Sequence, residues 1–142
     1  MPDTSRELPF IDEHSREVAA SAEAAWDAVN HVVRRSFSGP AKSAVARALG
    51  CTETELVGFR IAVARPPEIL ALQGRHRFSS YELNFRLESL GPDQSRVKAE
   101  TRAAFPGLAG RAYKAAVIGT RGHVVAVNSL LGAIAARAER PR

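Results

Sequence analysis

The chain has 142 residues, a formal net charge of +5 and one cysteine, Cys51. This length suits a single domain, residues 1–142, that buries roughly two thirds of its unfolded surface, and one cysteine excludes an internal disulfide framework and a cysteine-based zinc site. The basic residues are scattered beside acids, and we find no nucleic-acid-binding motif, signal peptide or apolar run of about 20 residues. We therefore expect a soluble, cytoplasmic domain with no nucleic-acid partner, no integral membrane association and no cofactor.

The first part of the chain predicts one strand and two short helices. Phe10–Val18 is expected to form the strand. Ser21 is expected to cap the first helix, whose apolar side carries Trp26, because a serine side chain accepts a hydrogen bond from the first turn. Pro40 suits the first position of a second helix, which we expect to end at Gly50.

A run of antiparallel strands follows these helices. Strand character resumes at 56–64, and the stretch 69–105 predicts three further strands in a row. In the segment 81–88 every odd position is apolar and every even position is polar, which is typical of a half-buried strand. The predicted sheet therefore has one buried face, which carries the odd-numbered side chains of this segment.

The first hairpin of this run can be assigned a register. A two-residue loop at Ser79-Ser80 would pair Leu72 with Leu87 on the buried face. The opposite face would then pair Arg77 with Glu82, a favourable combination of charges.

The second hairpin predicts the same buried face. A loop at Gly91-Pro92-Asp93 would pair Leu87 with Val97 and Phe85 with Ala99. Because a slip of one residue would turn every apolar side chain outward, the agreement between the two hairpins supports this assignment.

One amphipathic helix of about thirty residues is expected to close the chain after Pro106-Gly107. Its apolar stripe, at alternating spacings of four and three, consists of Tyr113, Val117, Thr120, Val124, Val127, Leu131 and Ile134. Gly119 and Gly122 lie in mid-helix and predict a bend, with a close approach to another backbone as the alternative. A curved sheet followed by such a helix can enclose a cavity.

Three segments carry a resemblance to a known family: 17–26, which runs from Glu17-Val18 to Trp26, the segment 74–81, and the segment 100–107. They resemble the START-like superfamily, also called SRPBCC, which includes birch-pollen-allergen relatives and polyketide cyclase-like proteins. The resemblance implies an α+β helix-grip fold, in which a curved antiparallel sheet of about six to seven strands wraps around a long C-terminal helix. It also implies a hydrophobic cavity between the sheet and that helix.

A hydrophobic or aromatic small molecule, lipid-like or polyketide-like, is the ligand we expect in this cavity. A mostly apolar pocket with a few polar groups suits such a molecule. The residues expected to line it are Phe59, His76, Tyr81, Leu83, Phe85, Thr101, Tyr113 and Val117. For the aromatic side chains core packing is the alternative, and for His76 it is a buried histidine bonded to backbone or water.

The first strand adds polar side chains to the wall of the expected cavity. By alternation Phe10, Asp12, His14, Arg16 and Val18 share one face. A charged row on a cavity wall requires partners. There are three alternatives to a buried row of charges. The strand is an edge strand, its inward face is hydrated near the cavity mouth, or its register differs from the one assumed here.

His123 lies on the flank of the last helix's apolar stripe, between the cavity and the first helices. With Asp12, His14 and His76 it would form a polar cluster. Imidazole and carboxylate also suit zinc, iron or copper, but no close-spaced histidine pair supports a metal site, and we expect none.

We favour a binding protein over an enzyme. The alternative is an enzyme of the cyclase or aromatase kind, in which His76, Asp12 or His14 moves a proton in a water-poor pocket. That alternative requires two of these groups to lie within hydrogen-bond reach. A third alternative is an interaction module, such as a homodimer, whose sheet is a packed core.

Overall fold

The computed structural model describes residues 8–39, 59–76, 79–105, 107–117 and 121–140, without the side chains of residues 76, 116 and 117. Within these ranges the chain forms five strands and three helices: β1 Phe10–Val18, α1 Ala22–Ser36, β2 Arg60–Arg65, β3 Ile69–His76, β4 Ser79–Gly91, β5 Gln94–Ala104, α2 Gly107–Val117 and α3 Gly122–Ala138. The strands form one antiparallel sheet in the order β1-β5-β4-β3-β2. The helix-grip architecture is thus confirmed, with fewer described strands than the six to seven expected.

Helix α1 forms where the sequence predicts it. The Ser21 side chain accepts a hydrogen bond from the Ala24 backbone N–H at 3.1 Å, and Glu23 lies in the first turn. Both features stabilise a helix N-terminus, where N–H groups lack intrahelical partners. The helix ends at the Phe37 N–H, which still donates to the Val33 carbonyl. The predicted second helix, 40–50, lies outside the described residues.

The β4–β5 hairpin has the predicted register. Leu87 pairs with Val97, and Phe85 pairs with Ala99. Pro92 and Asp93 form the turn between the strands, since Gly91 is still paired with Gln94. A proline in a turn costs no ladder hydrogen bond, which explains why this turn was identifiable.

The register predicted for the β3–β4 hairpin is wrong. Leu72 pairs with Leu83 rather than Leu87, and Glu82 pairs with Gln73 rather than with residue 77. Ser79 is paired with His76, so Ser79-Ser80 belongs to the ladder and not to the loop. The buried face is nevertheless the predicted one, because the loop moved by two residues and an even shift preserves the side-chain faces.

Strand β1 is an edge strand with an irregular start. Phe10 pairs with Arg102, whereas Asp12 pairs with Thr101, so the register shifts between them. This bulge turns Phe10 to the outer face, where it is 54% exposed and lies beneath the Arg102 guanidinium. The prediction that Phe10 shares a face with Val18 is therefore wrong, since a bulge breaks the alternation.

The core lies between the inner face of the sheet and the helices α1 and α3. Val29 and Val33 of α1 and Leu131 and Ile134 of α3 are buried in it. They belong to one cluster with these sheet residues: Val18, Leu70, Leu72, Leu83, Phe85, Leu87, Val97 and Ala99. Full burial of each large apolar side chain contributes about 1.5–3 kcal/mol, so this cluster holds the helices on the sheet.

The long final helix is interrupted. Helix α2 ends at Val117 and α3 begins at Gly122, while residues 118–120 lie outside the described residues. Arg121 precedes α3 with a φ of 61°, a left-handed conformation that a continuous α-helix does not contain. The prediction of one helix is therefore wrong. Val127, Leu131 and Ile134 of the predicted stripe are buried, as expected.

The outer face of the sheet carries a hydrogen-bonded polar network. Gln73 Nε2 donates to Glu82 Oε1 at 3.2 Å, Asn84 Nδ2 donates to Glu100 Oε1 at 3.4 Å, and Arg102 Nε donates to the same oxygen at 2.9 Å. Glu82 and Asn84 are buried within this network. The even-numbered positions of β4 therefore face outward, as the alternation predicts, without all being exposed.

Arg96 on β5 ties two neighbouring strands to its own. Its guanidinium contacts Glu17 of β1 at 3.1 Å and Glu88 of β4 at 3.3 Å. The hydrogen bond to Glu17 raises the pKa of Arg96 above its ordinary value, so this cation stays charged throughout the neutral range. The edge strand is thereby held by a side chain as well as by its ladder.

None of the helices within the described ranges is long and apolar enough to cross a membrane.

Candidate functional site

The inner face of the sheet changes character along the strands. Near the β4–β5 turn it is apolar and belongs to the packed core. Farther from that turn three cross-strand rows follow one another. The first row is His14, Ala99, Phe85 and Leu70, the second is Asp12, Thr101, Leu83 and Leu72, and the third is Ala103, Tyr81 and Gly74. The second row therefore places a carboxylate and a hydroxyl beside two leucines.

Asp12 connects two histidines from different elements. Its Oδ2 lies 3.1 Å from Nε2 of His14, two residues along β1, and its Oδ1 lies 3.2 Å from Nε2 of His123 in the first turn of α3. The side chains of Asp12, His14 and His123 are 23%, 26% and 16% exposed. The cluster thus lies where the edge strand meets α3, partly reachable from solvent.

Position 12 is set by the bulge in β1. Because the register shifts after Phe10, Asp12 lies opposite Thr101 on the inner face. His14 follows two residues later and lies opposite Ala99, whose small side chain leaves the imidazole room. His123 joins them because α3 packs against β1. The sheet edge and the helix start therefore meet at the carboxylate.

Thr101 has a buried hydroxyl without a partner. The residue is 7% exposed, and its Oγ1 makes no hydrogen bond within the described part of the chain. A buried, unpaired polar group costs about 1–3 kcal/mol. Ser95 is in the same state, but it lies opposite Val18 at the apolar end of the sheet. Only Thr101 has an acidic cross-strand neighbour.

Aromatic side chains lie near the third row. Phe59 contacts Tyr81 edge to face, with ring centroids 5.0 Å apart, and contacts Phe37 with centroids 4.6 Å apart. Tyr113 of α2 lies 6.2 Å from Phe105, centroid to centroid. Such aromatic pairs stabilise a fold by more than their buried area alone would. The two tyrosines also add hydroxyl groups to the aromatic surface.

The structure brings together several of the residues that were expected to form the site. Leu83 and Thr101 are adjacent across β4 and β5, Phe85 is fully buried in the core cluster, and Tyr81 contacts Phe59. The backbone of His76 pairs with Ser79, while the side chains of His76 and Val117 are outside the described set. Their role in a ligand site remains a prediction.

His123 was absent from the residues expected to bind ligand, and the structure gives it a direct contact with Asp12. Its position on the flank of an apolar helix stripe was the only sequence signal. The sequence grouped it with Asp12, His14 and His76 in a polar cluster, and the structure brings it to Asp12 and His14, while the side chain of His76 is outside the described set.

The charges around this cluster are mixed. Arg16, next in the β1 row, extends toward α3, where its Nη1 lies 3.7 Å from the position that a Cβ on Gly132 would take. Across the described residues, no group of three or more histidine, cysteine, aspartate or glutamate side chains is arranged to hold a metal ion. The arrangement instead offers a hydrogen-bonded set of one carboxylate and two imidazoles.

No family model and no curated protein matches this sequence. The fold is similar to that of solved structures. The Zhui aromatase/cyclase from Streptomyces sp. R1128 has 15% sequence identity and a TM-score of 0.56, with 94% of each chain covered. Truncated norcoclaurine synthase from Thalictrum flavum has 13% identity and a TM-score of 0.56, covering 95% of this chain and 98% of that one.

A further structure shows the same synthase with bound molecules. Norcoclaurine synthase from Thalictrum flavum in complex with dopamine and hydroxybenzaldehyde has 13% identity and a TM-score of 0.53, covering 94% of this chain and 91% of that one. At these identities the likeness concerns the fold alone. The chain shares its fold with these solved structures, which agrees with the helix-grip fold expected from the sequence.

Proposed function

We propose that the protein binds a hydrophobic or aromatic small molecule between the inner face of the sheet and helices α2 and α3. The observation that carries this proposal is the buried hydroxyl of Thr101, which has no partner in the described chain and lies between Leu83 and Asp12 in its cross-strand row. A ligand that supplies the missing hydrogen bond would remove the cost of burying that group.

The surroundings of Thr101 suit such a molecule. The Phe59–Tyr81 pair offers aromatic contact, while Thr101 and Asp12 offer a few polar groups. Small-molecule sites commonly combine these two features. The similar fold of a synthase solved with dopamine and hydroxybenzaldehyde supports an aromatic ligand.

Thermal denaturation tests this proposal with defined probes. The purified chain is heated with 2-naphthol, with oleate and without additive, and unfolding is followed by the fluorescence of its one tryptophan, Trp26. A probe present at a hundredfold excess over its Kd raises the free energy of unfolding by about 2.7 kcal/mol. The proposal fails if neither probe raises the unfolding temperature at concentrations up to its solubility limit.

An enzyme of the cyclase or aromatase kind is the second candidate. It is favoured by the Asp12–His14 contact of 3.1 Å, because that alternative needs two acid–base groups within hydrogen-bond reach. The test mixes the protein with dopamine and 4-hydroxybenzaldehyde and searches by mass spectrometry for a product equal to their sum less one water. Product formed by the wild-type chain and lost in Asp12→Asn supports the candidate. Equal product with and without protein rejects it for this pair of substrates.

A further inference from the structure

We propose that Asp12 orients His14 and His123 so that the Nδ1 lone pair of each ring faces the ligand, which selects aromatic molecules that carry a hydroxyl group. This inference rests on the proposed binding function and names its ligand class. It also adds His123 to the residues of the site.

The hydrogen-bond roles follow from the atoms in contact. Both rings approach Asp12 through Nε2, at 3.1 Å for His14 and 3.2 Å for His123. A carboxylate oxygen only accepts hydrogen bonds, so each Nε2 must carry the hydrogen. In a neutral ring the other nitrogen, Nδ1, then has a free lone pair. Asp12 thus acts as a positioning residue for both imidazoles.

The two Nδ1 atoms are available. Neither His14 nor His123 makes a second hydrogen bond among the residues that the structure describes. Both side chains are only partly exposed, which reduces competition from water. The two rings contact different oxygens of one carboxylate, and a ligand hydroxyl can donate to the Nδ1 of either ring.

Thr101 adds a third polar group to the same wall. It lies directly opposite Asp12 in the β1–β5 ladder, where facing Cβ atoms are about 5 Å apart. A threonine hydroxyl both donates and accepts, so it can serve the oxygen of a ligand hydroxyl whose hydrogen is held by an imidazole. One hydroxyl group of the ligand would then satisfy the unpaired Oγ1.

The Asp12 carboxylate disfavours an anionic ligand group, because it repels a second carboxylate at short range. The nearest cation of the β1 row, Arg16, extends toward Gly132, about 13 Å along α3 from His123 at 1.5 Å per residue. Arg121 precedes α3 and is exposed. The cluster therefore suits a neutral donor such as a phenol better than a fatty-acid headgroup.

Three probes with one ring system test this selectivity. The Kd values of 2-naphthol, 2-methoxynaphthalene and 2-naphthoate are measured by calorimetry at one pH. The methyl ether keeps the apolar ring and loses the donated hydrogen. We expect 2-naphthol to bind about fivefold more tightly than the ether, as one net hydrogen bond of about 1 kcal/mol allows, and 2-naphthoate to bind most weakly.

The outcomes separate this inference from the function on which it rests. Equal Kd values for the three probes overturn the selectivity and leave the binding function intact. Binding by none of them contradicts the binding function itself. Tighter binding of 2-naphthoate than of 2-naphthol also overturns the inference, because it places a cation rather than an acceptor at the ligand group.

Asp12→Asn distinguishes positioning from mere structural support. The asparagine amide can donate to one Nε2, which moves that ring's hydrogen to Nδ1 and converts an acceptor into a donor. The ratio of the Kd of 2-methoxynaphthalene to the Kd of 2-naphthol should then fall toward one. A uniform loss of affinity for every probe would indicate a structural role only. Asp93→Asn, in the exposed β4–β5 turn, is the matched control and should keep the preference.

The ring tautomers can be read in the unmodified protein. Long-range proton–nitrogen correlation NMR assigns the protonated nitrogen of each histidine, with the exposed His31 of α1 as an internal reference. We expect the Nε2–H tautomer for the neutral rings of both His14 and His123. An Nδ1–H form for either ring overturns the inference, and this measurement does not depend on whether the variant folds.

Discussion

At the scale of single residues, two buried hydroxyl groups allow the effect on fold stability to be distinguished from the effect on ligand binding. The Oγ1 of Thr101 and the Oγ of Ser95 both lack a hydrogen-bond partner in the described structure. We expect Thr101→Val, which replaces the hydroxyl by a methyl group of similar shape, to raise the free energy of unfolding by about 1 kcal/mol and to weaken binding of 2-naphthol. Urea denaturation and calorimetry measure the two effects.

Ser95→Ala is the matched control for this pair of effects. Ser95 lies opposite Val18 at the packed end of the sheet, away from Asp12. Removing its hydroxyl should stabilise the fold for the same reason, reduced by the small cavity that it leaves. Binding of 2-naphthol should not change. If both substitutions weaken binding equally, the ligand does not depend on the end of the inner face that carries Thr101.

At the scale of secondary-structure elements, α1 depends on its first cap. Ser21 Oγ accepts from the Ala24 N–H at 3.1 Å. We expect Ser21→Ala to lower the free energy of unfolding by about 1 kcal/mol, since that N–H loses its partner at the helix N-terminus. Ser38→Ala is the control: its hydroxyl donates to the Arg35 carbonyl at an exposed site beyond the helix, so the change should stay within about 0.5 kcal/mol. Equal losses in denaturant melts would contradict this assignment.

The sequence predicted the elements better than their connections. The buried face of β4 and the register of the β4–β5 hairpin followed from alternation together with a proline-containing turn. The β3–β4 loop was misplaced because Ser79-Ser80 is a weak turn signal, and moving the loop by two residues leaves every side chain on its face. Alternation alone therefore establishes which face is buried but not which residues are paired.

The break before α3 was only partly visible in the sequence. The glycines at 119 and 122 indicated a weak point, and a bend was expected there. The structure instead has Arg121 in a left-handed conformation between two helices. A non-glycine residue with this φ is set by its tertiary surroundings, which residue patterns do not contain.

The sequence predicted some features of the candidate site correctly and others wrongly. Asp12 and His14 were expected on one face of β1, and they are. Phe10 was expected beside them, but the bulge turns it outward. The contact between Asp12 and His123 joins residues far apart in the chain. The sequence analysis had grouped these two residues with His14 and His76 in one polar cluster, but the packing of α3 against the edge strand decides which atoms are in contact.

At the scale of the whole molecule, the inner face of the sheet combines an apolar core cluster with a polar edge. The cluster is covered by α1 and α3, extends from Val18 and Val97 to Leu83, and supplies the apolar burial that holds the fold together. The polar edge lies where β1 meets the first turn of α3, at Asp12 and His123. A ligand that binds at this edge would leave the apolar cluster intact as the structural support of the domain.

This arrangement predicts which backbone amide resonances shift when a ligand binds. When 2-naphthol is titrated into the isotopically labelled chain, backbone amide NMR shifts should change most at Asp12, His14 and Thr101, and in the first turn of α3. Amides at Ser95 and Val97 should change little, because they lie at the packed end. The methyl ether should shift the neighbouring apolar residues but leave the imidazole resonances nearly unchanged. Changes concentrated instead at Glu82 and Glu100 would move the site to the outer face of the sheet, where the polar network lies.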